Sequence, residues 1–283
     1  MTPFGTCDEY SRLRSVIMCP PVHFEIKTPI NAVQAKWHGL GRGPDPVEGL
    51  RQYTAVKDAL IKKGVDVWEI PPSKDFSYQV FTRDAGVVAE TGAIVGRFKF
   101  KARMGEEREL VKMLEREALP VAYECSAPGI FEGGDFVFLN NACAYVGIGD
   151  RTDADAFGQL KTRMPDLELH PVDLPEGYLH LDVVLNIVSA DTALAFVDAL
   201  PAPILEHLEA SGVHIISVPA SEQETMGTNA LSIGENTLIT ASCNTSTNEK
   251  LRRQGFAAIE IEMSEIIKGG GGPRCMTLPV WRG

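Results

Sequence analysis

A chain of 283 residues, with 44% hydrophobic and 23% charged residues, has the composition of an ordinary folded protein with one large domain or two small ones. Its net charge of −11 disfavours a nucleic-acid partner, because an acidic surface repels phosphate groups. No apolar run is long enough to cross a membrane, and the N-terminus lacks the apolar stretch of a secretory signal, so we expect no membrane partner and a cytoplasmic location.

Four segments predict β-hairpins, because each joins two apolar, β-rich runs through turn-forming residues. In chain order they cover residues 85–98, 135–148, 182–196 and 229–241. Helical spacing of apolar residues predicts helices between the hairpins, each followed by a short strand. The helices cover residues 46–63, 106–117, 153–164, 203–210 and 247–254, and the strands 65–70, 121–125, 170–174, 213–218 and 256–263. Thr152 is a suitable N-cap for the third of these helices.

The hairpins recur with a period of about 47 residues. Equivalent points at their entrances lie 46 to 49 residues apart, at Gly86, Asp135, Asp182, Asn229 and Cys275. A fixed period of this size indicates an array of similar units. The fifth unit is too short for a full hairpin, so we expect residues 13–19 to supply its missing strand and close a ring. We therefore predict one closed α/β domain over residues 1–283 with about fivefold pseudosymmetry; an ordinary α/β domain with accidental spacing is the alternative.

Residues suited to catalysis stand at the same phase of successive units. They are Asp84, Glu132, His180, Asp182 and Cys275. Equivalent points of a ring face its axis, so we expect these side chains to meet. A cysteine becomes a strong nucleophile when a positive charge lowers its pKa, and either His180 or a bound cationic substrate supplies such a charge. Carboxylates at Asp84 and Asp182 suit a planar guanidinium, and Glu132 is placed to orient His180. This set requires no metal and no organic cofactor.

Each of these motifs also has a structural interpretation. Residues 132–135 are compatible with a strained turn, and His180 with a buried core histidine. The glycine run 269–272 lacks the GxGxxG spacing of a phosphate-binding loop. The six cysteines contain no CxxC pair, which predicts no zinc site, and all except Cys275 are interpreted as small buried hydrophobes. The shared phase of the five residues favours catalysis.

Four motifs, in this order, resemble those of the guanidine-modifying, or pentein, superfamily. They are Thr82-Arg83-Asp84, Glu132-Gly133-Gly134-Asp135, His180-Leu181-Asp182 and Gly271-Gly272-Pro273-Arg274-Cys275-Met276. The superfamily includes arginine deiminases, dimethylarginine dimethylaminohydrolases, agmatine deiminases and amidinotransferases, and the resemblance covers essentially the whole chain. It implies a five-bladed α/β propeller and cofactor-free hydrolysis of a guanidino or ureido amino acid through a covalent thiouronium intermediate. It further implies that Cys275 is the nucleophile, that His180 is the acid/base paired with Glu132, and that Asp84 grips the guanidinium.

The same resemblance assigns two arginines to the carboxylate of an amino-acid substrate. Arg103 follows Asp84 by 19 residues, and Arg151 follows the second hairpin. Their alternative interpretation is as surface arginines. Asp182 is similar to the corresponding residue of arginine deiminases, whereas the short chain is similar to dimethylarginine hydrolases. The substrate is therefore open among arginine, methylated arginine, citrulline and a related acid.

Two other functions are compatible with the motifs. An amidinotransferase would use an amine acceptor in place of water, and a non-catalytic pentein would serve as a binding module. The partner expected for the proposed chemistry is a small guanidino or ureido amino acid, and a homo-oligomer is compatible with the sequence. Residues 20–43 form a long connection that is interpreted either as a mobile lid or as a surface loop.

Overall fold

Five three-stranded β-sheets form the frame of the molecule in a computed structural model that describes residues 3–283. The elements, in chain order, are β1 (Leu13–Met18), α1 (Ala32–Gly39), α2 (Pro46–Lys62), β2 (Asp66–Glu69), β3 (Gly86–Ala89), β4 (Gly92–Val95), α3 (Glu106–Arg116), β5 (Val121–Glu124), β6 (Phe136–Asn140), β7 (Cys143–Ile148), α4 (Ala154–Arg163), β8 (Glu168–Asp173), β9 (Leu185–Ser189), β10 (Thr192–Ala195), α5 (Ala202–Ala210), β11 (His214–Ser217), β12 (Leu231–Gly234), β13 (Thr237–Ala241), α6 (Thr245–Arg253), β14 (Ala257–Ile261), α7 (Ser264–Ile267) and β15 (Leu278–Arg282).

Each of the four continuous units has the same ββαβ connectivity. Its first two strands pair as an antiparallel hairpin, and a helix then leads to a third strand that pairs parallel to the second. A crossover of this kind is needed because neighbouring parallel strands cannot be joined by a tight turn. The predicted hairpins, helices and strands are confirmed, with small shifts at their ends.

One predicted helix cap is wrong. The N-cap of α4 is Asp153, whose side chain accepts a hydrogen bond from Ala156 N at 2.9 Å. Thr152 lies one residue earlier, and its hydroxyl oxygen accepts a hydrogen bond from Glu132 N at 3.2 Å. The residue therefore fixes the start of the second unit rather than the helix.

The fifth sheet joins the two ends of the chain, as predicted. Strand β15 pairs antiparallel with β1, and β1 pairs parallel with β2. Neighbouring units are in contact all the way round: β15 contacts β3, β6 contacts β9, β9 contacts β12, and β12 contacts β1. The turns that precede β3 and β6 also contact each other. The arrangement is the five-unit pseudosymmetric α/β architecture expected for a pentein.

Burial decreases from the axis outward. The first hairpin strands β3 and β12 are buried along their whole length, and β6 and β9 are buried except at their last residue. Strand β5 alternates between half-buried and exposed residues. The first strand of each hairpin is therefore covered by protein on both faces of its sheet. The entrances of the hairpins consequently lie inside the molecule. Within residues 3–283, no helix is both long and apolar enough to cross a bilayer.

Candidate active site

Short 3-10 turns at the hairpin entrances contain Asp84 and Asp182 and directly follow Glu132 and His180. Three of them cover Thr82–Ala85, Gly133–Asp135 and Leu181–Val183. The turns pack closely: a Cβ atom added at Gly134 would lie 2.8 Å from His180 Cγ and 2.9 Å from Asp84 Oδ1. Only glycine fits there, because real Cβ atoms do not approach other atoms so closely. The Gly-Gly of this motif thus allows the first three units to meet at the axis.

His180 lies between two carboxylates, as the shared phase predicted. Its Nε2–H donates to Glu132 Oε2 at 2.9 Å, and its Nδ1 is 3.7 Å from Asp84 Oδ1. Burial lowers the pKa of His180, but Asp84, the hydrogen bond to Glu132, and Asp135 outweigh it and raise the pKa to about 9. Burial raises the pKa of Glu132, yet His180 and Arg151 bring it down to about 2. The pair is therefore an imidazolium and a carboxylate at neutral pH.

Cys275 is buried beside a third carboxylate. Its Sγ is 3.6 Å from Asp182 Oδ2 and receives a hydrogen bond from Asn229 Nδ2 at 3.1 Å. Cys275 N in turn donates to Asn229 Oδ1 at 3.1 Å. Burial, together with Asp182 and Asp84, raises the pKa of the Cys275 thiol well above its usual value. In this state the thiol is protonated, so a positive charge must reach the sulfur before it becomes a nucleophile.

Asn229 is a candidate functional residue outside the set expected from the sequence. It stands at the entrance of the fourth hairpin, in phase with the other site residues, and this phase was the available signal. Its amide holds both the backbone and the sulfur of Cys275.

Two carboxylate oxygens at the site are buried and free of hydrogen bonds. Asp84 Oδ1 and Asp182 Oδ1 have no partner among residues 3–283, and neither does His180 Nδ1. An unsatisfied buried polar atom costs roughly 1–3 kcal/mol. Carboxylate oxygens near a thiol, both lacking a donor, match the planar N–H donors of a guanidinium ligand.

Arg103 is buried, which excludes its interpretation as a surface residue. Its guanidinium hydrogen-bonds to Asp84 Oδ2 and to Glu106 Oε2, the latter at 2.7 Å, and it stacks 4.4 Å from the ring centroid of Phe98. It also donates to Phe81 O at 3.1 Å. Arg103 thus holds Asp84 in place in this conformation.

Arg151 is also buried and lies behind the pair of His180 and Glu132. Its Nη1 is 3.2 Å from both carboxylate oxygens of Glu132. The same carboxylate forms the hydrogen bond with His180. Its Nη2 donates to Ile30 O in the segment 20–43, and its guanidinium lies 4.3 Å from the ring centroid of Phe100. Arg151 therefore links the candidate catalytic carboxylate to that segment.

A small, largely closed cavity lies against these residues. Asp84, Arg103, Arg151 and Cys275 line it from the ring side, and residues of the segment 20–43 line it from the opposite side. Two amides of that segment, Asn31 Nδ2 and Gln34 Nε2, donate to Gly269 O at 3.0 and 2.9 Å. The segment consequently covers the cavity; whether it moves as a lid stays a prediction.

Glu132, His180 and Asp182 are not among the residues that line the cavity, but they contact those that are. Asp84, Glu132 and His180 each offer a possible metal-ligand atom, and these atoms lie within 4.8 Å of one another. Arg103 and Arg151 already pair with the two carboxylates. Their positive charges oppose a metal ion held between Asp84, Glu132 and His180.

Glu9 is the residue at the axis that the sequence pattern did not reveal. It lies in none of the repeated units, yet its Oε1 accepts hydrogen bonds from Arg83 Nη2 at 2.8 Å and from Arg274 Nη2 at 3.1 Å. Burial raises the pKa of Glu9, but Arg274 and Arg83 lower it to about 2. Arg274 also donates to Asp182 Oδ2 through Nη1. Glu9 thus supports, through Arg274, the carboxylate beside Cys275.

Known proteins resemble this chain over nearly its whole length. The profile of a family described as N,N dimethylarginine dimethylhydrolase, eukaryotic, matches residues 20–282. An uncharacterized protein, YkgA of Bacillus subtilis, is 37% identical over 97% of this chain and 94% of its own. The N(G),N(G)-dimethylarginine dimethylaminohydrolase of Mycobacterium tuberculosis is 27% identical over 95% of this chain and 86% of its own.

A solved structure with the same fold contains a covalent intermediate. It is the N-terminal domain of a variant of ArgZ, a cyanobacterial arginine dihydrolase, covalently bonded to a reaction intermediate. It superposes with a TM-score of 0.86 at 25% identity and covers 95% of this chain and 98% of that domain. A covalent intermediate in a protein of this fold is consistent with a buried thiol, Cys275, close to the carboxylates at the axis of this chain.

Proposed function

The chain belongs to the family of N,N dimethylarginine dimethylhydrolases, within the pentein superfamily, and from this premise we propose that it hydrolyses arginine or a methylated arginine. Its named relatives include a dimethylarginine dimethylaminohydrolase and arginine deiminases, and the arginine dihydrolase ArgZ has been captured with a covalent intermediate. One observation carries the proposal for this chain. The Cys275 thiol lies beside Asp182, and in the same buried site two carboxylate oxygens, of Asp84 and Asp182, lack a donor.

The first step is the binding of the guanidinium. We place it against Asp84 Oδ1 and Asp182 Oδ1, where its N–H groups satisfy both oxygens. The positive charge then lies next to the sulfur and lowers the pKa of Cys275, which the two carboxylates otherwise raise. The thiol releases its proton to solvent when substrate binds, so the substrate activates its own nucleophile.

In the second step the thiolate attacks the guanidino carbon. A bond from Sγ to carbon forms, and the bond from that carbon to one nitrogen breaks after His180 gives its proton to the leaving amine. Ammonia leaves from arginine, and dimethylamine from asymmetric dimethylarginine. The raised pKa of His180, about 9, supports this role, because it supplies the required proton at neutral pH.

In the third step water cleaves the thiouronium adduct. Neutral His180 takes a proton from the water, the oxygen bonds to carbon, and the carbon–sulfur bond breaks. The second water proton returns to the sulfur, which restores the thiol and the imidazolium together with a citrulline-type product. Glu132 orients His180 through the 2.9 Å hydrogen bond during both proton transfers.

Arg103 and Arg151 line the cavity and are proposed to recognise the substrate carboxylate. Each must exchange a present contact to do so. The bond from Arg151 to Ile30 O is the natural one to exchange, because opening of the segment 20–43 releases it. An amino-acid substrate is therefore preferred over agmatine, which lacks a carboxylate.

A ureido assay with parallel ammonia detection tests the proposal. Purified protein is offered L-arginine, asymmetric dimethylarginine, agmatine and citrulline separately, and Cys275→Ser is the control. We expect a ureido product from arginine or dimethylarginine, little from agmatine, and none from the Cys275→Ser variant. An equal rate in that variant, or no product from any of the four compounds, would refute the proposal. A new guanidino product formed only when glycine or lysine is added would identify an amidinotransferase.

A further inference from the structure

A second cluster of metal-binding side chains lies between the second and third units of the ring. Cys143 is on β7, His170 is on β8 and His207 is on α5. The cysteine sulfur and one ring nitrogen from each histidine lie within 4.8 Å of one another. The sequence predicts no zinc site because it has no CxxC pair. Here the three residues come from three different elements, so spacing along the chain does not reveal them.

The sheet register and one helix assemble the cluster. Strands β7 and β8 pair in parallel, with Tyr145 opposite His170. Cys143 lies two residues before Tyr145 and therefore points to the same face of the sheet. His207 reaches this face from α5, and its ring centroid is 4.4 Å from that of His170. The cluster thus joins a sheet of one unit to a helix of the next.

Two features of the histidines favour a metal ion. His170 Nε2 is buried without a hydrogen-bond partner among residues 3–283, although Glu168 Oε1 lies 3.2 Å from it. His207 Nδ1 forms a 2.6 Å hydrogen bond with the hydroxyl of Tyr145. In the tautomer in which Nδ1–H donates this hydrogen bond to the hydroxyl oxygen, the lone pair of His207 is on Nε2. A ligating histidine usually has such an outer partner, which fixes its tautomer.

We propose that Cys143, His170 and His207 bind a divalent transition-metal ion of the zinc class, with a fourth position open to water. A thiolate with two imidazoles suits zinc or cobalt rather than magnesium or calcium, which prefer oxygen ligands. Zinc bonds of about 2.0 Å to nitrogen and about 2.3 Å to sulfur place tetrahedral ligand atoms roughly 3.3–3.6 Å apart. Because the ligand atoms lie within 4.8 Å of one another, the side chains need to close by no more than about 1.5 Å around the ion. A metal held by two units stabilises the folded ring.

Cobalt(II) is the probe that separates this site from the candidate active site. The parent protein carries Cys275→Ser, so that the active-site region offers no thiolate to the metal. We expect a thiolate-to-cobalt charge-transfer band at one cobalt per chain, and its displacement by zinc. The band should be kept in a further Cys243→Ser variant, since Cys243 is an exposed cysteine outside the cluster.

Two ligand variants complete the test. Cys143→Ser should lose the band, and His207→Gln should weaken zinc binding by at least about 10-fold in a competition titration. Thermal unfolding in the presence of a chelator shows whether either variant has lost its fold. If one has, metal binding by the other variant decides whether the cluster binds the ion. The absence of the band in the parent, or an unchanged band in Cys143→Ser, would overturn the proposal.

Discussion

In the protein without substrate, both the Cys275 thiol and the His180 imidazolium keep their protons at neutral pH. Burial and two carboxylates raise the pKa of the thiol, whereas carboxylates around the imidazole keep His180 protonated up to a pH of about 9. A nucleophile with this setting is inactive toward chance electrophiles until a cation binds. Of the two sources of positive charge that the sequence left open, the contacts favour the substrate, because Cys275 is next to Asp182 and Asn229.

The Glu132→Gln variant tests the acid role of His180. Loss of the carboxylate removes an attraction that favours the imidazolium, so the pKa of His180 should fall from about 9. In the wild type, kcat/KM should decline as the pH rises through about 9, because the leaving amine then finds no proton. In the variant this decline should occur at lower pH, with a loss of rate of roughly 10²–10⁴-fold.

A pH profile of kcat/KM measures both effects. Glu124→Gln is the matched control, since Glu124 is an exposed glutamate at the end of β5. A decline that stays at the same pH in Glu132→Gln would show that another group sets it.

At the scale of elements, the segment 20–43, which contains α1, contacts both Arg151 in the lining of the cavity and the glycine run before Cys275. Asn31 and Gln34 both donate to Gly269 O, and Ile30 O accepts from Arg151. These contacts close the segment over the cavity. A substrate enters only after some of them break, which is the physical basis for the lid interpretation.

The double variant Asn31→Ala with Gln34→Ala should loosen this cover. We expect the same bonds to re-form over bound substrate, and each contributes about 0.5–1.5 kcal/mol. Their loss should therefore weaken substrate binding, so that KM rises about 5-fold or more while kcat changes less. Hydrogen exchange of the backbone in residues 24–40 should become faster. Lys27→Ala, which removes only an exposed ion pair with Glu25, serves as the control. Unchanged KM together with unchanged exchange would exclude the lid.

Hairpins, crossover helices and ring closure were predictable because each has a local signal. Turn residues between apolar runs identify the hairpins, and the constant spacing brings distant residues such as Asp84 and Cys275 to one axis. Contacts of long side chains have no such signal. The sequence pattern does not predict that Arg103 pairs with Asp84 or that Arg151 pairs with Glu132. It also does not predict that Asp153, rather than Thr152, caps α4. These depend on side-chain direction and burial.

At the scale of the whole molecule, Glu9 connects units that are distant in sequence. It pairs with Arg83 of the first unit and Arg274 of the fifth, and Phe138 N of the second donates to it at 3.2 Å. The buried carboxylate therefore joins the N-terminal segment to three units at the axis. This connection supports the proposal that residues 1–283 form one domain.

Glu9→Gln should lower the free energy of unfolding by roughly 3–5 kcal/mol, because it leaves buried Arg83 without a carboxylate partner among residues 3–283 and Arg274 with Asp182 alone. The pKa of Glu9 is about 2 in the folded protein, below the value of about 4.3 expected when unfolded. Its contribution is therefore complete above about pH 5 and is lost as the pH falls through about 2.

Urea denaturation of both proteins at several pH values measures this difference. The gap between wild type and Glu9→Gln should shrink on acidification. Glu25→Gln, at an exposed ion pair, should change the stability by less than about 0.5 kcal/mol. A Glu9 variant as stable as the wild type at neutral pH would contradict the connecting role.

The most direct measurement for the proposed chemistry is the mass of the Cys275 peptide during turnover. Wild type and His180→Gly, acid-quenched after addition of arginine or asymmetric dimethylarginine, are digested and mapped by mass spectrometry. We predict an added mass equal to substrate minus leaving amine. It should accumulate in His180→Gly, because we expect loss of the base to slow hydrolysis of the adduct more than its formation. Whichever substrate is accepted must give the same added mass, because the part that differs has already left. Product formation without any adduct on Cys275, or the same adduct on a protein that carries Cys275→Ser, would contradict covalent catalysis by this residue.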